Sequence, residues 1–340
     1  MRIAILAHGK FPGRAKTAVG LLRYGDHEVV AVLDREGAAP DARVADHLPD
    51  VQDAPIVSGI DDCPAIDALV VGIAPIGGGF DDSWRPDVRG ALERGADVWA
   101  GLHYFLTEDE EFAALADEHG CELWDVRRPP EDLTVADGVA RGLDAEIVLT
   151  VGTDCSVGKM TTTMELLDAA EDAGLDAGFV PTGQTGVMVD GAGVVVDRVV
   201  SDFTAGAVEG MLLERADHDY LFVEGQGSIT HPAYSAVTCG ILHGSMPDAL
   251  VLCHEAGREV VHGYESFDLP TPAESARLYE DLAGPVNPTR VAGGALNTAG
   301  MEPDSARDAV TSFGDAIGAP AVDPVRDGAD ELIAAIAGDG

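Results

Sequence analysis

The chain has 340 residues, 60 of them acidic against 21 Lys and Arg, for a formal net charge of −39. That balance repels nucleic acid and anionic membranes, so neither is an expected partner. With 46% of residues apolar, disorder driven by charge is excluded, and the length suits two packed domains.

In chain order, MRIAILAHGK is too short and too polar for a signal peptide and reads as a first strand. Further strand-like runs fall at residues 28–33, 68–73, 96–100 and 122–126, with helical runs such as 86–94 and 108–118 between them. Short apolar strands separated by helices predict a parallel sheet with right-handed crossovers. The first loop, AHGKFPGRAKTAVG, is not G-x-G-x-x-G, so no dinucleotide site is expected there. It holds Lys10, Arg14 and Lys16, which serve either to bind an anion or to pair with neighbouring carboxylates. RRPPEDLTVADGVA, residues 127–140, carries a Pro-Pro pair and reads as the linker, with the boundary near Arg141.

Residues 147–163, IVLTVGTDCSVGKMTTT, read as strand, glycine-bounded loop, lysine and helix. Glycines allow close backbone approach, successive N–H groups converge, and the helix N-terminus and the lysine add positive potential. An oligophosphate cradle is therefore expected from Gly152, Thr153, Asp154, Cys155, Ser156, Val157, Gly158, Lys159, Met160, Thr161 and Thr162. Lys159 is one of three lysines in the chain, which argues against surface filler. The motif departs from G-x-x-x-x-G-K-[ST]: five residues separate Gly152 from Gly158, and Met160 stands where Ser or Thr ligates Mg²⁺. Thr161 and Thr162 lie just beyond as partial substitutes. The pattern supports anion binding more than a catalytic Mg·ATP site.

Beyond the loop, strands are predicted at 146–151, 178–181, 220–223, 249–253 and 289–293, and helices at 160–170, 203–215, 272–283, 306–317 and 330–336. This is a P-loop-type α/β domain, whose ligands belong at the carboxyl ends of the strands. Three strand ends carry polar chemistry. PTGQTG reads as a tight loop presenting Gln184 and Thr185; VEGQGSITHP delivers Glu224 and then His231; and His243, His254 and Arg258 flank the strand ALVLC as a basic edge. Asp202 and Glu209 fall near the switch region, as contacts for a metal or an amine or as acidic surface. No metal site is expected, because the spacing supplies no third ligand for the two histidines. The five cysteines are scattered without C-x-x-C, so neither a disulfide framework nor a zinc site is indicated, and Cys155 reads as small loop filler.

At GTDCSVGKMTT, PTGQTG, SDFTAGAVE, VEGQGS and LHGSMPDALVL the sequence resembles the DUF1611 family, over nearly the whole chain and including the segment HGK…KTAVGLLRYG near the start. The resemblance implies a Rossmann-like parallel-sheet domain over residues 1–140, followed by a P-loop NTPase-type α/β domain over 141–340. GTD-x-x-VGK and VEG are also similar to dethiobiotin synthetase and its P-loop relatives, over two short segments. Members of the DUF1611 family are assigned as D-glutamate N-acetyltransferases. The resemblance thus implies transfer of an acetyl group from acetyl-CoA to the amine of an acidic D-amino acid in D-glutamate breakdown. Under it, Glu224 or His231 takes the amine proton and backbone N–H groups of residues 225–227 face the thioester oxygen. Lys16, Gln184, Thr185, Asp202 and Arg258 are the candidate substrate contacts. The alternatives are an ATP-dependent ligase or kinase acting on a small carboxylate or amine, for which ATP and Mg²⁺ are the cofactors, and a nucleotide-binding regulatory protein. A homo-oligomer in the cytoplasm, acting on a small molecule, is the expected setting.

Depletion of lysine and the Asp-rich composition point to a high-salt cytoplasm. The Debye length is about 3 Å in 1 M salt and about 30 Å at 0.01 M, so dialysis to low salt unscreens the self-repulsion of the −39 charge. The protein is expected to lose its circular dichroism signal on dialysis from molar KCl to tens of millimolar; an unchanged unfolding midpoint would count against a halophilic origin.

Overall fold

A computed structural model of the protein describes residues 1–338 apart from Pro40, Ala74 and Ile76. The chain forms two compact units. The first comprises Met1–Pro129 and Gln184–Arg198; the second comprises Pro130–Gly183 and the chain from Val199 onward.

In the first unit the elements run β1 (Arg2–Leu6), α1 (Lys16–Tyr24), β2 (Glu28–Leu33), β3 (Ile56–Val57), β4 (Ala68–Val71), α2 (Arg85–Glu93), β5 (Asp97–Ala100), α3 (Glu110–His119) and β6 (Leu123–Asp125). Its sheet is parallel, in the order β3-β2-β1-β4-β5-β6. That order is the doubly wound Rossmann arrangement. The near-continuous apolar runs Ile3–Leu6 and Ala68–Val71 are buried, as strands covered by helices on both faces require. At α3, Asp109 caps the N-terminus by accepting from Glu111 N and Phe112 N, and Gly120 ends the helix in the left-handed region.

The second unit begins with β7 (Glu146–Gly152), α4 (Lys159–Asp172) and β8 (Ala177–Val180). The chain then makes an excursion through α5 (Gln184–Asp190), which belongs to the first unit. It resumes with α6 (Thr204–Leu213), β9 (Tyr220–Val223), α7 (Ser235–Ser245), β10 (Ala249–Glu255), the hairpin β11 (Val260–Val261) and β12 (Tyr264–Asp268), α8 (Pro272–Ala283), β13 (Arg290–Asn297), α9 (Pro303–Ile317), β14 (Ala321–Val322), α10 (Pro324–Asp327) and α11 (Asp330–Ala337). Its main sheet is again parallel, in the order β14-β13-β10-β7-β9-β8, so β7 sits at the centre between β10 and β9. Among the described residues no helix is long and apolar enough to cross a membrane.

Three features differ from the sequence expectation. PTGQTG is not a loop that presents side chains to a ligand. Gln184 opens α5 and Thr185 lies within it, because Val187 and Met188 gain a place in the first unit's core. Gln184 Oε1 accepts from Arg127 at 2.9 Å, and Thr185 Oγ1 meets Thr17 Oγ1 at 2.9 Å, so both side chains are buried ties within that unit. Second, α7 forms although SAVTCGILHGS holds two glycines and several β-branched residues. A Cβ at Gly244 would lie 2.6 Å from the Ala205 carbonyl, so close packing of α6 on α7 overrides weak propensity.

Third, the expected boundary near Arg141 differs from the passage between units at Pro129 and Pro130. The cause is Glu209 on α6. Its buried carboxylate accepts from the backbone N–H groups of Asp137 (2.6 Å), Val139 (2.7 Å) and Ala140 (3.4 Å), which fastens that segment to the second unit. Glu209 is thus a structural tie, with both carboxylate oxygens taken by backbone donors. Glu209→Ala leaves these donors without their acceptor and is expected to cost about 1–3 kcal/mol of stability in denaturant unfolding, with ligand affinity at the phosphate loop unaltered; an unshifted midpoint would count against the tie.

Candidate phosphate-binding site

β7 ends at Gly152, the loop runs through residues 153–158, and α4 starts at Lys159 with Gly158 at its N-cap (φ +106°). Lys159 turns back along the loop. Its Nζ donates to the Asp154 carbonyl at 2.9 Å, and the side chain is buried. A Cβ at Gly152 would lie 2.8 Å from Lys159 Nζ. One at Gly225, just past β9, would lie 1.8 Å from Thr150 O and 3.3 Å from Lys159 Cδ. The lysine therefore runs between the carboxyl ends of β7 and β9, where glycine leaves the room it needs.

The loop is held from all sides. Tyr279 on α8 donates to the Gly152 carbonyl at 2.8 Å, and burial pushes the Tyr279 hydroxyl pKa up, keeping it a neutral donor. Thr153 N donates to Cys253 O at 3.0 Å, Thr153 Oγ1 lies 2.8 Å from His254 Nδ1, and Ser228 Oγ donates to Thr153 O at 3.0 Å. Asp154 is fully buried. One carboxylate oxygen accepts from Cys155 N at 2.7 Å; the other accepts from His262 N at 2.7 Å and from Arg258 at 3.1 Å. Val157 packs into the hydrophobic core, while Ser156 is exposed with φ +55°. At the helix start, Thr163 Oγ1 donates to Lys159 O and lies 2.9 Å from Thr150 Oγ1. Thr162 is buried, with its hydroxyl 3.5 Å from Cys253 Sγ. Met160 and Thr161 are half-buried on the next positions of α4.

The two candidates after β9 differ in their surroundings. Glu224 is buried, and its Oε2 accepts from the backbone N–H of Thr182 (3.2 Å) and Gly183 (3.0 Å). His231 is 1% exposed; its Nδ1 accepts from Ala233 N at 3.1 Å, and its Nε2 is buried with no hydrogen-bond partner. Its ring lies between Tyr234 (centroids 4.6 Å apart) and Tyr264 (5.2 Å). A ring nitrogen of His231, Cys155 Sγ and an Asp154 carboxylate oxygen all fall within 4.8 Å of one another.

Other expectations are redirected. The basic edge around β10 is committed to the protein. His243 Nε2 hydrogen-bonds the Leu282 carbonyl at 3.0 Å. His254 is stacked on Phe313, and burial, reinforced by the Arg258 charge, lowers its pKa to about 4, so it is neutral near pH 7. Arg258 pairs with Asp154 and Glu255 and donates to Cys155 O at 2.7 Å. It braces the loop; it is not poised for a substrate carboxylate. Gly225 N is engaged by Thr150 Oγ1 at 3.1 Å, which removes it from an oxyanion role. Asp202 sits exposed on a 3-10 turn, with no hydrogen bond or ion pair to the loop among the described residues. Lys16 opens α1 in the first unit. Like Lys10 and Arg14 it is exposed, without an ion pair among the described residues.

The sequence did not single out Tyr279, Tyr234 or Tyr264. Tyr279 lies on the buried stripe Ala276–Tyr279–Ala283 of α8, which marks it as core without revealing what its hydroxyl meets. Cys253 is no nucleophile, since burial pushes its thiol up to about 11.

Residues 134–333 match the domain of unknown function described as the DUF1611 C-terminal P-loop domain, and residues 38–129 match the DUF1611 N-terminal Rossmann-like domain. A D-glutamate N-acetyltransferase of a Pseudoalteromonas species is 35% identical over 287 residues, covering 82% of this chain and 86% of that one. A D-glutamate N-acetyltransferase of Tritonibacter scottomollicae is 38% identical over 270 residues, covering 79% and 80%. The crystal structure of a DUF1611 family protein from Anabaena variabilis is 39% identical, superposes with a TM-score of 0.93 and covers 99% of both chains. A P-loop domain match spanning more than half the chain, a Rossmann-like match before it and two relatives above 30% identity agree, and the chain belongs to the DUF1611 family.

Proposed function

We propose that this protein transfers an acetyl group from acetyl-CoA to the amine of an acidic D-amino acid, D-glutamate by the name its relatives carry. The observation that carries the reading is a braced phosphate loop with methionine at its magnesium position, in a chain whose relatives are named for acetyl transfer. CoA presents a pyrophosphate and a 3′-phosphate. Loop N–H groups, the N-terminus of α4 and the Lys159 ammonium suit either group. An ATP-consuming reaction would want a hydroxyl at residue 160 to hold Mg²⁺. Met160 offers a thioether, a poor ligand for a hard cation, and the Thr162 hydroxyl is buried against Cys253. The donor set thus favours holding phosphates over cleaving them.

In the transfer, the neutral amine attacks the thioester carbon. A C–N bond forms, the C–S bond breaks, CoA leaves as its thiolate, and the surplus amine proton passes to a base that returns it to the sulfur, giving the thiol. Glu224 is that base in this reading. Two backbone N–H groups orient one carboxylate oxygen, and the residue precedes Gly225, against which the Lys159 stem lies.

D-glutamate is expected to release free thiol from acetyl-CoA in high salt without ATP, followed with a disulfide reagent. Glu224→Gln should slow the reaction by about 10²–10⁴-fold, the worth of a general base. Lys159→Ala should raise the Kd for CoA in calorimetry by about 10–100-fold, the worth of a charge-assisted hydrogen bond. ATP consumed in step with product, with acetyl-CoA untouched, would replace this reading with a ligase or kinase.

A further inference from the structure

The phosphate loop gives its ligand a direction. In loops of this type the backbone N–H groups cradle the inner phosphates and the lysine reaches the outer ones. Lys159 runs toward β9: a Cβ at Gly225, just past that strand, would lie 3.3 Å from its Cδ. With the pyrophosphate of CoA in the loop, the adenosine-bearing phosphate takes the N–H groups and the outer phosphate faces Lys159. The pantetheine arm, which the outer phosphate carries, therefore leaves the loop on the β9 side.

That side carries a row of aromatic rings. Tyr234, His231, Tyr264 and Phe267 follow one another with centroids 4.6, 5.2 and 6.5 Å apart. The row adjoins the loop at His231, a ring nitrogen of which lies within 4.8 Å of Cys155 Sγ and of an Asp154 carboxylate oxygen. His231 is buried, but Tyr234 is 45%, Tyr264 40% and Phe267 50% exposed. Among the described residues the only other exposed Phe, Tyr or Trp is Tyr104. Single exposed apolar residues are ordinary; three gathered beside a ligand loop, in a chain of net charge −39, are not. The segment that bears Tyr264 and Phe267 is fastened to the loop itself. His262 N donates to the Asp154 carboxylate at 2.7 Å, Arg258 donates to Cys155 O at 2.7 Å, and Val261 is buried. All five residues of β12 are exposed, so the core gains little from these two rings.

We propose that Tyr234, Tyr264 and Phe267 form a ledge that binds the pantetheine arm of the acyl carrier whose phosphates occupy the loop. The arm presents methylene and geminal methyl carbons together with two amides. Ring faces bury the carbons, and tyrosine hydroxyls suit the amides. A bare nucleotide has no such arm, so the ledge selects CoA over ADP or ATP. The inference rests on the acetyl-transfer reading for the identity of the carrier, and it adds what distinguishes that carrier from other phosphate ligands.

Calorimetry in high salt compares CoA with 3′-phospho-ADP, which is CoA without the arm. Wild-type protein is expected to bind CoA about tenfold more tightly or better; equal affinity overturns the proposal. Phe267→Ser and Tyr234→Ser, each checked by thermal melts, lie on opposite sides of the His231 ring, so a misfolded hairpin in the first leaves the second as a test. Each is expected to raise the Kd for CoA by about tenfold, the worth of burying roughly 55 Å² of apolar surface, and to leave the Kd for 3′-phospho-ADP within about twofold. Phe267→Leu keeps an apolar surface and is expected to stay within about threefold of wild type for CoA. An unchanged Kd for CoA in the serine variants, or an equal loss for both ligands, overturns the ledge. So does a serine variant that dissociates an oligomer while its affinity for CoA holds, which would mark the row as a contact between copies of this chain. These results leave acetyl transfer standing. Absence of thiol release from acetyl-CoA by wild-type protein, by contrast, sinks the acetyl-transfer reading and the ledge's assigned occupant with it.

Discussion

The phosphate loop depends on one buried charge pair. Asp154 has no exposed surface, and a lone carboxylate there would be prohibitively costly. Arg258 and two backbone N–H groups satisfy it, one from within the loop and one from His262. The loop thereby gains a fixed anchor to the chain on both sides of β11, at Arg258 and His262. The same pairing explains why Arg258 is not available to a substrate, since removing it would leave a buried carboxylate uncompensated. Around this anchor the neutral donors Tyr279 and Ser228 take up the Gly152 and Thr153 carbonyls. The result is a loop whose shape is set before any ligand arrives, which lowers the ordering cost of binding.

Much of the fold was legible because it is written in local pattern. The runs at 2–6, 28–33 and 220–223 are continuous apolar stretches bounded by polar residues, and the strands have those limits. The phosphate loop was legible for the same reason: its glycines, lysine and flanking strand and helix are adjacent in sequence. What stayed hidden depends on partners far along the chain. Arg258 could be recognised as a cation, but Asp154 lies 104 residues away, and nothing in either neighbourhood announces the pair. Glu209 looked like acidic surface or a ligand contact until its three backbone partners about 70 residues earlier were placed. In α5 and α7, tertiary burial overrode weak helical propensity. In PTGQTG the glycines suggested a turn, while the apolar residues that follow, Val187 and Met188, decided for a helix.

The family's acetyl-transfer names and its phosphate-loop fold are at first sight at odds, since the fold is best known for splitting nucleoside triphosphates. The conflict dissolves once the loop is divided into its physical parts. Glycine spacing, converging N–H groups, a helix N-terminus and a lysine recognise phosphate; they supply no hydrolytic chemistry by themselves. The hard-cation ligand is a separate part, and here Met160 occupies its place. Glu224, the base in the proposed reading, and the buried His231 follow the neighbouring strand β9, outside the loop. They also differ in kind. Glu224 is a carboxylate turned by backbone donors, able to accept a proton. His231 is a buried ring whose Nδ1 accepts from Ala233 and whose Nε2 is closed to solvent. In the proposed reading, the phosphate cradle anchors the carrier of the acyl group and leaves the chemistry to the strand next to it.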